Sequence, residues 1–165
     1  MNAEELKKIQ APLKEIYKEN AAAALITLKA KGKIGSTISC KVETGRAILE
    51  AGLHPATGGN GILLCSGDML LEALVACAGV TLSAVATAIG IEINEGNIYA
   101  EGDLDFRGTL GVSKEVPVGF ISIRLYFKLT SNATEEQMNS LMKLTERYCV
   151  VYQTLTGGVS IKILK

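Results

Sequence analysis

Two cysteines lie in the most apolar parts of this chain, and their types and positions raise the question of thiol chemistry. Cys77 stands in the middle of LLEALVACAGVTL, and Cys149 stands in TERYCVVYQTL near the C-terminal end. A cysteine in such surroundings is most often a packed core residue, because free cysteine is among the most buried residue types. It reacts only where neighbouring charges or hydrogen-bond donors stabilise its thiolate. Two interpretations stay open, a pair of inert core thiols or a redox pair.

The composition excludes several other classes of function. The 17 basic and 17 acidic residues cancel, so the chain has no basic field for nucleic acid phosphates or for an anionic membrane. No CxxC spacing occurs and His54 is the single histidine, so we expect no metal site. The N-terminal stretch lacks the apolar core of a signal peptide. We therefore expect a cytoplasmic protein whose cysteines are reduced at rest and form no disulfide framework.

The segment around Cys77 is predicted to be a long central helix. It extends over residues 67–89, with Ser66 as its N-cap and Gly90 as its stop. After Asp68 only Glu72 is charged, so the helix meets the length and composition of a membrane span. Its acidic flanks lack the Lys, Arg, Trp or Tyr residues expected at a membrane boundary. We therefore expect a helix that is apolar on all sides and buried in a soluble core.

The remaining elements complete an α+β domain. Hydrophobic periodicity predicts a helix from Ala3 to Tyr17, two strands over residues 22–34 and 36–48 joined at Gly35-Ser36, two strands over residues 94–108 and 118–130, a helix over residues 134–155 and a short strand over residues 157–165. The last helix opens on a Thr134/Gln137 capping box and turns Cys149 inward. The order β-β-α-β-β-α-β indicates the α+β class. We take residues 1–20 as an N-terminal helical extension and residues 21–165 as the domain.

A thiolate at Cys77 would have to be stabilised by residues from other elements of the fold. The residue stands in mid-helix, where the dipole of its own helix contributes little. A cation brought by another element would stabilise the charged sulfur. Nothing local selects among the candidate cations, which are Arg46, Arg107, Arg124, Arg147, Lys31 and Lys33.

Longer stretches around the two cysteines resemble a known family. SGDMLLEALVACAGVTLSAVA resembles the central-helix signature of the OsmC/Ohr family of thiol-dependent peroxidases. LMKLTERYCVVYQTL resembles the later helix of that family, which carries its second redox cysteine, and GDLDFRGTLGV resembles its extended strands. The resemblance covers about residues 21–165. It implies an OsmC-like fold, with curved antiparallel sheets around central buried helices in an intertwined homodimer.

The resemblance also implies an activity, the reduction of organic hydroperoxides or hydrogen peroxide without a cofactor or metal. By this resemblance Cys77 is the peroxidatic thiolate, which becomes a sulfenic acid. Cys149 is then the resolving thiol that condenses with it to a disulfide. A dithiol reductant, which is a lipoylated protein in some members of the family, restores both thiols.

The residues that tune the thiolate depart from the family pattern. The family holds its peroxidatic cysteine with an arginine from the N-terminal strands, paired with a glutamate at the start of the central helix. The best match for the arginine is Lys33, with Arg46 as the alternative, and Asp68 stands nearest to the glutamate. Lysine lacks the planar, bidentate guanidinium of arginine. Val150 stands where the family has a proline after the later cysteine.

These departures keep an alternative function open. A non-catalytic dimer of the same fold could bind an apolar small molecule and keep both thiols as packing. Cys65, just before the central helix, has no role that the resemblance implies.

Overall fold

The computed structural model describes residues 3–34, 40–42 and 51–163. Its helices and strands are, in chain order, α1 (Ala3–Glu19), β1 (Leu25–Ile34), β2 (Cys40–Val42), α2 (Ser66–Ala88), β3 (Ile93–Asp105), the single turn α3 (Phe106–Thr109), β4 (Ser122–Ser131), α4 (Glu135–Tyr148) and α5 (Val150–Gly157). Two 3-10 turns, Ala21–Ala24 and Pro55–Thr57, lie between them.

The four strands form one open sheet in the order β2-β1-β3-β4. Strands β1 and β2 pair antiparallel, with Gly32 opposite Val42 and Ile34 opposite Cys40. This pairing confirms the predicted hairpin, and the turn predicted at Gly35-Ser36 lies outside the described residues. The mixture of helices with an antiparallel sheet confirms the α+β class.

The described residues divide into two compact units. The first contains residues 3–30, 51–71 and 100–125, and the second contains residues 31–34, 40–42, 72–99 and 126–163. In the first unit, α1 contacts α3 and the 3-10 turn Pro55–Thr57. The buried Tyr17 donates its hydroxyl proton to the carbonyl of Ala56 over 2.6 Å. Helix α1 is therefore hydrogen-bonded to this unit, although the division into an extension and a domain remains a prediction.

The core of the second unit forms where α2 meets α4 and the sheet. Leu82 of α2 and Leu141 of α4 are fully buried, and Phe127 and Leu129 of β4 pack against them. These two strand residues belong to the apolar alternation of the sequence, so one face of β4 is partly buried, as the alternation predicts. Part of the apolar surface of α2 therefore packs into this core.

Helix α2 ends as the sequence predicts. Gly90 adopts a left-handed conformation with φ of 72°. The N–H of Ile91 donates to the carbonyl of Ala86 over 2.8 Å, and the N–H of Gly90 donates to that of Thr87 over 3.4 Å. This pair of bonds is a Schellman motif, which satisfies carbonyls that a helix end leaves free.

Within the described residues, α2 is the one helix long and apolar enough to cross a membrane, with a mean hydropathy of 2.0 over its most apolar window. The core helix of a soluble protein meets the same criterion. Inside this structure 44% of that window is buried. We keep the prediction of a core helix.

Several predicted elements differ from the structure, and the strand predicted from residue 118 begins only at Ser122. The helix predicted over residues 134–155 begins with the expected Thr134/Gln137 capping box but breaks at Cys149 into α4 and α5. The strand predicted from Ala22 is preceded by the 3-10 turn Ala21–Ala24, and it begins only at Leu25. Strand β3 ends at Asp105, whose carboxylate accepts the N–H of Arg107 and turns the chain into α3.

The strand predicted at the C-terminal end is not formed by the described residues 159–163. Ile161 and Ile163 are 89% and 90% exposed. A strand is stable only where another strand satisfies its backbone groups. The alternation of apolar residues is present here, but no strand of the described chain pairs with it.

The position of α2 in the core gives a stability test. Leu82→Ala should destabilise the protein by about 2–5 kcal/mol, because the lost methyl groups leave a cavity in a close-packed interior. Val80 is 39% exposed on the same helix, so Val80→Ala should cost about 0.5 kcal/mol or less. Urea unfolding of both variants measures the difference. Equal losses would show that α2 is not a core helix.

Candidate active site

The structure brings Cys77 and Cys149 together in the second unit. Cys77 is half-buried in the middle of α2, and Cys149 is buried at the junction of α4 and α5. The thiol of Cys149 is one of the neighbouring groups that lower the pKa of Cys77. Each cysteine is a free thiol. The two residues that the sequence singled out are therefore direct neighbours.

Three further groups lower the pKa of the Cys77 thiol. Two are the backbone N–H groups of Val151 and Val150 in the first turn of α5, and the third is the hydroxyl of Thr81. Thr81 lies four residues after Cys77, on the same face of α2.

The N–H groups are available because the helix breaks at Cys149. This residue has φ of −72° and ψ of 107°, which ends α4 and allows α5 to begin at Val150. The first N–H groups of any helix have no partner within it and carry partial positive charge. The break therefore leaves the N–H groups of Val150 and Val151 without helical acceptors, and both lower the pKa of Cys77. Val150 has a backbone N–H. The family motif that this segment resembles has a proline at the same position, and proline has no N–H.

The two thiols have opposite pKa shifts. Burial raises the pKa of Cys77, but the hydrogen bonds from Val151, Cys149, Thr81 and Val150 outweigh it, and the net pKa lies below its ordinary value. Burial raises the pKa of Cys149 to about 11, with a further contribution from the charge of Cys77. The N–H groups of Tyr152 and Val151 only partly oppose this rise. Of the two thiols, Cys77 therefore ionises at lower pH, and Cys149 stays protonated to higher pH.

Lys33 and Asp68, the other predicted site residues, have different partners. Nζ of Lys33 lies 3.5 Å from Oε1 of Glu95, and both side chains are mostly exposed. Asp68 interacts with His54, whose charge lowers the pKa of the carboxyl, while burial has the larger effect and raises it. Neither residue is among the hydrogen-bond donors to Cys77. Their predicted roles remain predictions, and Arg46 lies outside the described residues.

Two of the candidate arginines are held by carboxylates in the first unit. Arg124 donates to both oxygens of Asp103, and Arg107 donates to both oxygens of Asp105. The hydrogen bonds from Arg124, with those from Thr27 and Ser122, hold the pKa of Asp103 well below its usual range.

Sequence reasoning missed the donors around Cys77. The spacing of four residues could have identified Thr81, since side chains at i and i+4 are neighbours on a helix. No pattern in the sequence indicated that the N–H groups of Val150 and Val151 would lie outside a continuous helix, because the apolar periodicity continues across the break at Cys149.

A family model described as OsmC-like protein matches residues 59–164, which is more than half of the chain and includes both cysteines. No curated protein sequence matches the chain significantly.

Two solved structures share the fold. One is an OsmC-like hydroperoxide resistance protein from Jannaschia sp. CCS1, with a TM-score of 0.62 and 19% sequence identity over 86% of this chain and 94% of the other. The second is an OsmC-like protein from Mycoplasma pneumoniae, with a TM-score of 0.57 and 18% identity over 81% of this chain and 86% of the other.

The opposite pKa shifts predict unequal thiol reactivity. At neutral pH iodoacetamide should alkylate Cys77 much faster than Cys149, because the thiolate is the nucleophile. The reactivity of Cys77 should fall as the pH drops through its lowered pKa, whereas Cys149 should stay protonated until the pH approaches about 11. Peptide mass spectrometry over a series of pH values measures both rates.

The unfolded protein in urea is the control, because both cysteines should react alike there. Equal rates in the native protein, or faster alkylation of Cys149, would contradict the assignment of the thiolate.

Proposed function

This chain belongs to the OsmC-like protein family, and from that premise we propose that it is a thiol-dependent peroxidase that reduces organic hydroperoxides or hydrogen peroxide. The observation that carries the proposal is that Cys77 and Cys149 are neighbouring free thiols, each of which shifts the pKa of the other. The pKa of Cys77 is lowered and that of Cys149 is raised, as a nucleophilic thiol and a second, protonated thiol require. The description of one structural neighbour as a hydroperoxide resistance protein supports the same chemistry.

In the first step the Cys77 thiolate attacks the O–O bond of the hydroperoxide. The sulfur gains an oxygen and becomes a sulfenic acid, and the other oxygen leaves as an alkoxide or hydroxide that takes a proton. Cys77 suits this role because it is partly exposed, so a hydroperoxide can reach its sulfur. Cys149 is 1% exposed and stays a thiol at neutral pH.

In the second step Cys149 attacks the sulfenic sulfur of Cys77. The S–S bond forms, the hydroxyl group leaves, and with the proton of the Cys149 thiol it becomes water. The N–H groups of Tyr152 and Val151 favour the charged form of Cys149, so they stabilise the thiolate as it develops. A dithiol reductant, such as the lipoyl group of a lipoylated protein, then returns both cysteines to thiols by exchange.

The proposal includes a homodimer in a reducing, cytoplasmic environment. The C-terminal residues Val159, Ile161 and Ile163 are 60%, 89% and 90% exposed and alternate with polar Ser160 and Lys162. This is the pattern of a strand with one buried face. A second copy of the chain would supply the partner that this segment lacks here, which supports the intertwined dimer.

One equivalent of an organic hydroperoxide should oxidise the reduced protein with the loss of two hydrogens. Peptide mass spectrometry should map the change to a disulfide between Cys77 and Cys149. Cys77→Ser should abolish turnover, because it removes the sulfur that attacks the hydroperoxide. Cys149→Ser should leave a single turnover and a sulfenic acid at Cys77 that dimedone labels.

Cys65→Ser is the matched control, since Cys65 lies outside the pair and its loss should leave the disulfide unchanged. Full turnover by Cys77→Ser, or four free thiols after treatment of the wild-type protein, would refute the proposal. The second outcome would favour the alternative, a protein of this fold that binds an apolar small molecule.

A further inference from the structure

The break between α4 and α5 leaves a carbonyl of α4 without its helical partner. In a continuous helix the carbonyl of Glu146 would accept the N–H of Val150, four residues later. The extended backbone of Cys149, with ψ of 107°, turns the N–H of Val150 away from that carbonyl. The N–H of Cys149 still donates to the carbonyl of Thr145 over 2.9 Å, so the helical pattern stops just before Glu146. The Glu146 carbonyl is therefore one of those that a helix end leaves free.

Gln153 supplies a donor to this carbonyl from the other side of the break. Its side-chain Nε2 donates to the carbonyl of Glu146 over 2.8 Å. Its backbone N–H donates to the carbonyl of Cys149, the N-cap of α5, over 2.9 Å. The side chain of Gln153 thus takes the place of the Val150 N–H, while the backbone of Gln153 begins the bonding of α5. One residue is therefore hydrogen-bonded to both sides of the break.

A continuous helix is the backbone that competes with the break. The segments on both sides of Cys149 are helical. In the continuous form Val150 would satisfy the Glu146 carbonyl, and the side chain of Gln153 would have no free carbonyl there. An interaction that exists in only one of two conformations shifts the equilibrium toward that conformation. The bond from Gln153 therefore favours the broken form.

We propose that Gln153 is a positioning residue, which holds the helix break and thereby keeps the thiol of Cys149 buried beside Cys77. Cys149 stands at the break itself and is 1% exposed. A change of its backbone toward the helical conformation would move its side chain as well. The inference rests on the proposed function for its catalytic meaning, which is the formation of the disulfide. The placement of Cys149 by Gln153 does not depend on any peroxide.

The equilibrium between the two thiols and their disulfide measures how well Cys149 is placed. Oxidised dithiothreitol takes two hydrogens from the thiols of Cys77 and Cys149, which form the disulfide, and it becomes the dithiol itself. Gln153→Leu removes the donor and should lower the equilibrium constant for the disulfide about fivefold, the effect of one lost hydrogen bond of ordinary strength. Mass spectrometry of the quenched mixture measures the constant, in a background with Cys40→Ser and Cys65→Ser.

Two further variants are the controls. Gln153→Lys keeps a side-chain donor of the kind that binds carbonyls at the end of a helix, so its constant should stay near that of the wild-type protein. Thr154→Leu places leucine at the neighbouring exposed position of α5 and should leave the constant unchanged. Circular dichroism confirms the fold of each variant.

Val150→Pro tests whether Gln153 acts through the break. Proline has no N–H, and in a continuous helix its ring would clash with the carbonyl of Glu146, so it enforces the break by itself. Val150 is 70% exposed and is the first residue of α5, a position that tolerates proline. In the Val150→Pro background Gln153→Leu should therefore lower the constant by less than about twofold. A fivefold loss in both backgrounds, or no loss in either, would overturn the inference.

Failure of the proposed function looks different. A wild-type protein that does not reduce hydroperoxides, but whose disulfide equilibrium depends on Gln153, would refute the peroxidase and keep Gln153 as a positioning residue. If the peroxidase is confirmed, Gln153→Leu should slow the formation of the disulfide and leave the first attack of Cys77 on the hydroperoxide unchanged.

Discussion

The break in the helix at Cys149 is the constraint on which the site depends. If α4 and α5 were one continuous helix, the N–H groups of Val150 and Val151 would bond to carbonyls of the preceding turn. Because the chain is extended at Cys149, these N–H groups have no helical acceptor, and both lower the pKa of Cys77. The same residue carries the second thiol. One local change of backbone therefore creates the donors for one sulfur and positions the other sulfur beside it.

The two thiols have opposite pKa shifts although both lie in apolar surroundings, which penalise the charged form. At Cys77 hydrogen bonding outweighs that penalty, whereas at Cys149 burial dominates and the charge of Cys77 raises the pKa further. The N–H of Val151 lowers the pKa of both thiols, so it does not distinguish them. The two thiols therefore titrate separately, and Cys77 loses its proton at lower pH.

The family match covers the part of the chain that contains the two thiols. The matched residues 59–164 contain both cysteines, Thr81 and the whole of α5, whereas Lys33 precedes them. At 18% and 19% identity the two solved structures share the fold without sharing most side chains.

The sequence by itself determined what depends on local pattern. It predicted the central helix to within a residue at each end, the Gly90 stop, the capping box at Thr134, the hairpin pairing and the two cysteines. Only the tertiary structure decided the break at Cys149, the unpaired C-terminal segment and the donors to Cys77. Periodicity reports which residues are apolar, and it continues unchanged across a helix break. Whether an N–H is free, and which sulfur it meets, depends on elements far apart in the chain, so that information exists only once they pack together.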